Sequence, residues 1–225
     1  ELAIGNVLGS NIANIALVLG ITTMILPIVV KRSTARVDWP IMMGTTILFY
    51  IFILNENIEW YEGAIFTVGL IAFNYYMFWN AKKQNKKEDL DVDIEEVKKS
   101  NIFINILFIT IGAIGLAFGA NWLVDGAEII ASNFGVSEHV IGVTIVAFGT
   151  SVPELITSVV AAFKKHTDIS VGNLIGSNIF NILGVVGITA MIKEIPVSLQ
   201  VLTNDIYWVL AISFLVFPLM IIGYK

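Results

Sequence analysis

The stretch VAFGTSVPELITSVV, residues 146–160, places hydroxyl groups and one carboxylate inside a very apolar part of the chain. On a helix Thr150, Ser151 and Glu154 share one face, with Ala147 one turn earlier, because residues three or four apart are neighbours. The proline before the glutamate has no backbone N–H, so it frees a carbonyl oxygen one turn earlier and bends the helix. Carbonyl, hydroxyl and carboxylate oxygens together in an apolar segment predict a cation site.

The negative charge of Glu154 must be compensated, because a charge at the centre of a bilayer costs about 2.5–3.5 kcal/mol on insertion scales. The apolar runs of the chain contain no Lys or Arg to pair with it. A bound cation or a proton is therefore expected, and the alternative is a protonated carboxyl group hydrogen-bonded to a neighbouring helix. Every candidate ligand is an oxygen, which suits Ca²⁺, whereas zinc and copper prefer His or Cys.

Composition indicates an integral membrane protein. The chain has 225 residues, of which 56% are hydrophobic and 14% are charged, against about 25% charged residues in soluble domains. Apolar runs of roughly 17–28 residues, long enough to cross about 30 Å of hydrocarbon, recur seven times. No alternating pattern of barrel strands is present, so we predict an all-α polytopic protein. The runs cover residues 3–29, 38–54, 60–79, 102–124, 136–163, 170–192 and 206–223.

An internal repeat relates the two ends of the chain. ELAIGNVLGSNIANIALVLGITTMI, from residue 1, recurs as DISVGNLIGSNIFNILGVVGITAMI, from residue 168, so that Gly5 corresponds to Gly172 and Asn14 to Asn181. Four predicted spans separate the copies, which gives them opposite orientations in the membrane. Inverted repeats of this kind are a frequent architecture of secondary transporters, whose substrate sites lie near the bilayer midplane.

Each copy of the repeat carries a polar stripe with a spacing of four residues. Packing between helices is the alternative explanation for the Ser and Gly residues of these motifs. The asparagines are harder to explain in that way, so we interpret the stripes as further walls of a cation site. The stripes are Asn6, Ser10 and Asn14, and Asn173, Ser177 and Asn181.

One hydrophilic segment, AKKQNKKEDLDVDIEEVKKS at residues 81–100, separates two halves, 1–80 and 101–225. Loops rich in Lys and Arg alternate with loops that have none, and the positive-inside rule places the basic loops in the cytoplasm. We therefore predict a multi-pass protein of the cell membrane with a cytoplasmic linker. The chain opens on Glu1 directly before an apolar run, so we expect it to be a fragment of a longer protein.

Two long motifs resemble those of one transporter family. GVTIVAFGTSVPELITS followed by SVGNLIGSNIFNILGVVG resembles the second alpha-repeat of the sodium/calcium exchanger family, within the cation/calcium exchanger superfamily. ELAIGNVLGSNIANIALVLG is similar to the back half of the first alpha-repeat. The family has ten helices in two inverted sets of five. The resemblance implies that residues 1–80 are the third to fifth helices and residues 101–225 the sixth to ninth.

The resemblance also implies a set of site residues. It places Glu154 opposite a second glutamate, which would precede Glu1, and surrounds both with neutral oxygens. Some members carry Asp at the position of Asn181, so Asn there bears on ion stoichiometry and potassium dependence. The implied neutral ligands are the side chains of Thr150, Ser151, Ser10 and Ser177 and the carbonyl of Ala147, with Asn14 and Asn181 beside them.

The expected function is Na⁺/Ca²⁺ antiport by alternating access, with residues 102–124 as part of a sliding unit. The expected partners are Ca²⁺ and Na⁺ as cargo, with H⁺ or K⁺ as alternative ions, and the lipid bilayer, with no resident cofactor and no nucleic acid. A Ca²⁺/H⁺ antiporter is the close alternative. A passive channel is less expected because of the inverted repeat, and an enzyme because one carboxylate stands alone. We expect residues 1–225 by themselves to transport weakly or not at all.

Overall fold

The protein folds almost entirely into helices. The computed structural model describes residues 2–25, 30, 32–88, 102–136, 147–164 and 167–222. In the first half, α1 (Leu2–Ile12) continues through the π-helix π1 (Ala13–Leu19) into α2 (Gly20–Ile25). There follow π2 (Thr34–Asp38), α3 (Trp39–Phe52), a 3₁₀ turn (Ile53–Asn55), strand β1 (Asn57–Ile58) and α4 (Trp60–Glu88).

The second half repeats much of this order. It begins with α5 (Ile102–Asn133), α6 (Ala147–Thr150) and α7 (Val152–Phe163). It continues with α8 (Thr167–Phe180), π3 (Asn181–Val186), α9 (Gly187–Ile192), strand β2 (Ile195–Pro196), π4 (Val201–Asp205) and α10 (Ile206–Ile222).

Five helical segments of the described residues are long and apolar enough to cross a membrane. They agree with five of the predicted runs, although the α5 segment extends to Asn133, beyond the predicted end at 124. The run at 60–79 forms α4, which is long enough but carries polar and charged residues at both ends. The run at 136–163 is described only from 147, where it gives the shorter apolar helix α7. The five segments are Ile4–Ile25, Thr34–Asn55, Ile102–Asn133, Ser170–Ile192 and Val201–Ile221.

The two halves share their local irregularities as well as their sequence. π-Helices make up well under 1% of residues in globular proteins, yet π2 and π4 begin and end at positions that are 167 residues apart. The same offset relates α2 to α9 at both ends, and π1 and π3 also correspond, with a difference of one residue at the start. The repeat predicted from the sequence is therefore a repeat of structure.

The core lies where the two copies face each other. Ile4 and Leu8 of α1 are almost completely buried, and so are Val171 and Ile175, their equivalents on α8. These apolar faces belong to one hydrophobic cluster, so burial of apolar area joins the first half to the second. The repeat motifs are thereby held side by side at the centre of the fold.

A glycine contact and a short sheet connect α4 to the second half. A β-carbon on Gly63 would lie 2.7 Å from the carbonyl oxygen of Gly187, so only two glycines permit α4 and α9 to approach so closely. Strands β1 and β2 pair antiparallel, with Ile58 opposite Ile195. The predicted linker begins as helix, because α4 extends to Glu88, and its remainder lies outside the described residues. The division at 81–100 stays a prediction.

Candidate functional site

The chain breaks its helix immediately before the proline and glutamate. α6 ends at Thr150 and α7 begins at Val152, with Ser151 between them at φ −100° and ψ −1°. Pro153 lies in the first turn of α7, where its missing N–H leaves no helical hydrogen bond unmade. The sequence predicted one bent helix, whereas the structure has two helices that meet at Ser151.

This break places Glu154 in the first turn of α7. The N-terminus of a helix carries a partial positive charge and free backbone N–H groups, which favour a carboxylate. The carboxyl group of Glu154 and the hydroxyl-bearing side chain of Ser177 line the same cavity. The Oε2 atom of Glu154 is buried without a hydrogen-bond partner. The charged residue of the site therefore presents an oxygen with unused capacity for a ligand.

Glu154 faces a small polar cavity of about 270 Å³. The cavity has room for several water molecules or a partly hydrated ion, because one water occupies roughly 30 Å³ in the liquid. Its other residues come from α8 and the start of π3, so the repeat motif forms one wall as predicted. The lining residues are Glu154, Asn173, Gly176, Ser177, Phe180 and Asn181.

Hydroxyl groups connect this segment to the first repeat. Ser10 Oγ on α1 lies 2.9 Å from Thr150 Oγ1 on α6, although the two residues are 140 positions apart in the sequence. Ser151, at the helix break, is 1% exposed, and its hydroxyl has no hydrogen-bond partner. Ala147 is the first residue of α6. The predicted hydroxyl residues of the two repeats therefore meet beside the break.

Four asparagines join the two repeat motifs. Asn14 Nδ2 donates to Asn178 Oδ1, and Asn181 Nδ2 donates to Asn11 Oδ1, both at 2.9 Å. The four-residue spacing predicted Asn14 and Asn181 as site residues but not their two partners. The signal was present, because Asn11 and Asn178 are identical residues at the same offset as the other pair.

Asn173 of the second repeat lines the cavity, and its counterpart Asn6 lies on α1 of the first repeat. Among the residues that the structure describes, no group of three or more His, Asp or Glu side chains is placed to hold a metal ion. The donor set that these residues offer is thus one carboxylate with neutral hydroxyl and amide oxygens, which is the chemistry of hard cations.

The chain is similar in sequence to known cation exchangers and antiporters. The family model described as sodium/calcium exchanger protein matches residues 1–79 and 104–225. Putative antiporter CaxA of Alkalimonas amylolytica is 36% identical over 213 residues, which cover 94% of this chain and 67% of CaxA. Sodium/calcium exchanger MaX1 of Methanosarcina acetivorans is 27% identical over 232 residues, which cover 88% of this chain and 66% of MaX1.

The fold also has solved counterparts. A structure of the sodium-calcium exchanger NCX_Mj, soaked with Na⁺ and Sr²⁺, matches with a TM-score of 0.75 and 32% identity. The match covers 97% of this chain and 68% of that protein, so the chain spans about two thirds of the relatives' length. The relatives named here are antiporters and exchangers, not enzymes. The chain is therefore a membrane transport protein with the exchanger fold, and it belongs to the sodium/calcium exchanger family.

Proposed function

We propose that this chain forms the greater part of an antiporter that exchanges Na⁺ for Ca²⁺ by alternating access. Both ions bind at the cavity beside Glu154, and the two repeats supply the neutral oxygens around it. The bound ions are cargo, and the site has no resident cofactor. The proposed ligands are the oxygens of Glu154, Thr150, Ser151, Ser10 and Ser177 and the carbonyl of Ala147, with Asn14 and Asn181 beside them.

The observation that carries the proposal is the state of the Glu154 carboxyl group. Its Oε2 is buried without a hydrogen-bond partner, it faces a polar cavity, and it lies in a segment with no Lys or Arg from 147 to 163. A buried carboxylate without a basic partner is expensive, so a bound cation is the compensation that the local chemistry favours.

Competition for shared oxygens makes such a site an exchanger. Ca²⁺ takes about six to eight oxygen ligands, more than this small cavity can supply while Na⁺ also occupies them. The two kinds of ion therefore displace each other. The protein changes between its outward-open and inward-open conformations when the site holds Na⁺ or Ca²⁺, but not when the site is empty. Transport of one ion is then coupled to transport of the other.

The proposed orientation follows from the loops. Lys31, Arg32 and Arg36 stand on one side of the predicted topology, together with the basic residues of segment 81–100 and Lys164. We place this side in the cytoplasm by the positive-inside rule. The protein then resides in the cell membrane, with the helix break at Ser151 inside the bilayer.

Exchange against protons is the second candidate. A carboxyl group that binds Ca²⁺ can take a proton in its place, and the segment of Glu154 contains no Lys or Arg from 147 to 163 to compensate its charge. The transported counter-ion distinguishes the two functions, whereas the Ca²⁺ site is common to both.

The test is Ca²⁺ uptake into proteoliposomes that contain the complete gene product carrying this sequence. We expect an outward Na⁺ gradient to drive uptake and Glu154→Gln to abolish it, because the amide has the shape of the carboxylate without its charge. Glu194→Gln, at an exposed position, is the matched control and should transport normally. Uptake driven only by a proton gradient would assign the protein to Ca²⁺/H⁺ exchange, and uptake unaffected by Glu154→Gln would refute the site.

A further inference from the structure

The four asparagines form two crossed pairs around the junction of the repeats. Asn11 and Asn178 are equivalent residues, and each donates its side-chain amide to the backbone carbonyl of the other, at 3.4 and 3.3 Å. Asn14 and Asn181 are also equivalent, and each donates to the side-chain oxygen of an asparagine in the opposite repeat. The arrangement therefore obeys the two-fold relationship of the repeats.

Backbone carbonyls determine the direction of every bond in this cluster. A carbonyl oxygen can only accept, so the amide group that faces it must be the NH₂ end of the Asn11 or Asn178 side chain. The Oδ1 end of that side chain then faces the second asparagine, which must in turn present its own NH₂ group. The exchange of O and N that is ordinarily ambiguous for asparagine is thus decided by the network.

These bond directions determine where the side-chain oxygens of the outer pair, Asn14 and Asn181, point. Because Asn14 uses Nδ2 toward Asn178, its Oδ1 points away from the cluster, and this oxygen is buried without a hydrogen-bond partner. Asn181 uses Nδ2 toward Asn11 in the same way, and Asn181 lines the cavity that holds Glu154. The buried oxygen of Asn14 is costly without a partner unless something binds it, and the side chain of Asn181 lies at the cavity where an ion could bind.

We propose that Asn11 and Asn178 are positioning residues that orient the amide oxygens of Asn181 and Asn14 toward the bound cation. Each acts across the repeat boundary: Asn178 of the second repeat fixes the amide orientation of Asn14 in the first, and Asn11 fixes that of Asn181. Neither touches the ion. The inference rests on the proposed cation site and adds the residues that aim two of its oxygens.

Burial supports a dedicated role for this cluster. Asn11 and Asn178 are each 1% exposed, as is Asn14, so their bonds form away from water and hold a single geometry. Partners of this kind, one shell away from the ion, typically change metal affinity by about 10–100-fold when removed. The crossed pattern also distinguishes positioning from simple packing, because packing has no reason to couple one particular pair.

The experiment is a pair of double-mutant cycles on the complete gene product, with apparent Ca²⁺ affinity from Ca²⁺-dependent thermal stabilisation as the readout. Asn14→Ala and Asn178→Ala, alone and combined, form one cycle, and Asn181→Ala and Asn11→Ala the other. We expect each single change to weaken Ca²⁺ binding about tenfold. The combined variant of each cycle should be little weaker than its singles, since the partner acts only through the ligand.

The mismatched pairs provide the control. Asn14→Ala with Asn11→Ala, and Asn181→Ala with Asn178→Ala, should lose affinity multiplicatively, because their residues do not act through one another. If an alanine variant does not fold, leucine, which has the branched shape of asparagine without its polar atoms, replaces it in the cycle.

Several outcomes would overturn the inference. Multiplicative losses in the crossed pairs would show that the inner asparagines act independently of the outer ones. If Asn14→Ala and Asn181→Ala leave Ca²⁺ affinity unchanged while Glu154→Gln removes it, the proposed site stands and the positioning role fails. If Glu154→Gln also leaves Ca²⁺ affinity unchanged, the proposed function itself fails.

Discussion

Val124 of α5 occupies the space in which a side chain on Gly149 of α6 would lie: a β-carbon there would overlap Val124 Cγ2. The backbone of α6 at Gly149 is therefore in contact with a side chain of the long apolar helix α5. Within the described part of the chain α5 is exposed along most of its length, so this contact contributes to its position.

Gly149→Ala should impair transport while leaving the protein folded. The new methyl group must displace Val124 or push α5 away from α6, and α5 is the helix expected to slide during alternating access. We expect at least a tenfold loss of the uptake rate, because displacements of about 1 Å in positioning elements have effects of about 100-fold in enzymes. Uptake into proteoliposomes, with the amount of folded protein measured in parallel, provides the test.

Removal of the opposing side chain supplies the control for this contact. Val124→Ala should be nearly neutral by itself and should restore much of the transport in combination with Gly149→Ala, because it opens the space that the new methyl group needs. A double variant as inactive as Gly149→Ala alone would contradict the steric explanation.

Gly63→Ala should destabilise the fold, because its methyl group would meet the backbone of α9 and the side chain of Ala190 at 2.7–2.9 Å. Overpacking of this kind costs about 1–3 kcal/mol, and rigid backbone atoms make relaxation difficult. Thermal unfolding in detergent measures the effect, monitored as the loss of the monodisperse peak in size-exclusion chromatography after heating. Gly44→Ala, at an exposed position of α3 with no described atom within 4 Å of the new group, should be neutral or slightly stabilising. Equal losses for both variants would contradict the prediction.

Ser10→Ala should weaken the connection between α1 and α6. It removes the 2.9 Å bond to Thr150 Oγ1, which is worth about 0.5–1.5 kcal/mol for a neutral pair. Thr150→Ser keeps the hydroxyl and should retain most of the stability and ion affinity, whereas Thr150→Val should not. The apparent Ca²⁺ affinity of each variant is measured from its thermal stabilisation as Ca²⁺ is titrated. Similar affinities for the serine and valine variants would show that the hydroxyl is irrelevant.

Asn181→Asp should destabilise the protein in the absence of divalent cations. An ionised aspartate cannot donate to Asn11 Oδ1, so the 2.9 Å bond becomes a contact between two acceptors, at a cost of about 1–3 kcal/mol for buried groups left unpaired. Ca²⁺ should restore the stability, because the added charge lies at the cavity. Melting temperatures with and without Ca²⁺ provide the measurement.

The matched change for this prediction is Asn55→Asp. Asn55 is exposed and only accepts a bond, from the backbone N–H of Asn57, which an aspartate can still accept. The Asn55→Asp variant should therefore melt at the wild-type temperature both with and without Ca²⁺. A Ca²⁺-dependent shift in Asn55→Asp as large as that in Asn181→Asp would show that the effect is one of general surface charge.

Much of the site was predictable because its chemistry is local. Glu154 stands out in an apolar run, and the offset of 167 residues pairs Asn14 with Asn181 without any coordinates. The cavity contains Glu154, Ser177 and Asn181 together, as a polar face on each helix predicted. The sequence predicts one helix bent at the proline, whereas two helices meet at Ser151, since a proline fits the first turn of a new helix as well as it bends an old one.

The sequence by itself determined that this is a helical membrane protein with a duplicated motif, because hydropathy and repetition are properties of order along the chain. Only the tertiary structure decided which asparagine donates to which and that Val124 lies against Gly149. The reason is physical: these contacts join residues that are distant in the sequence, and the local preferences of each segment do not specify them.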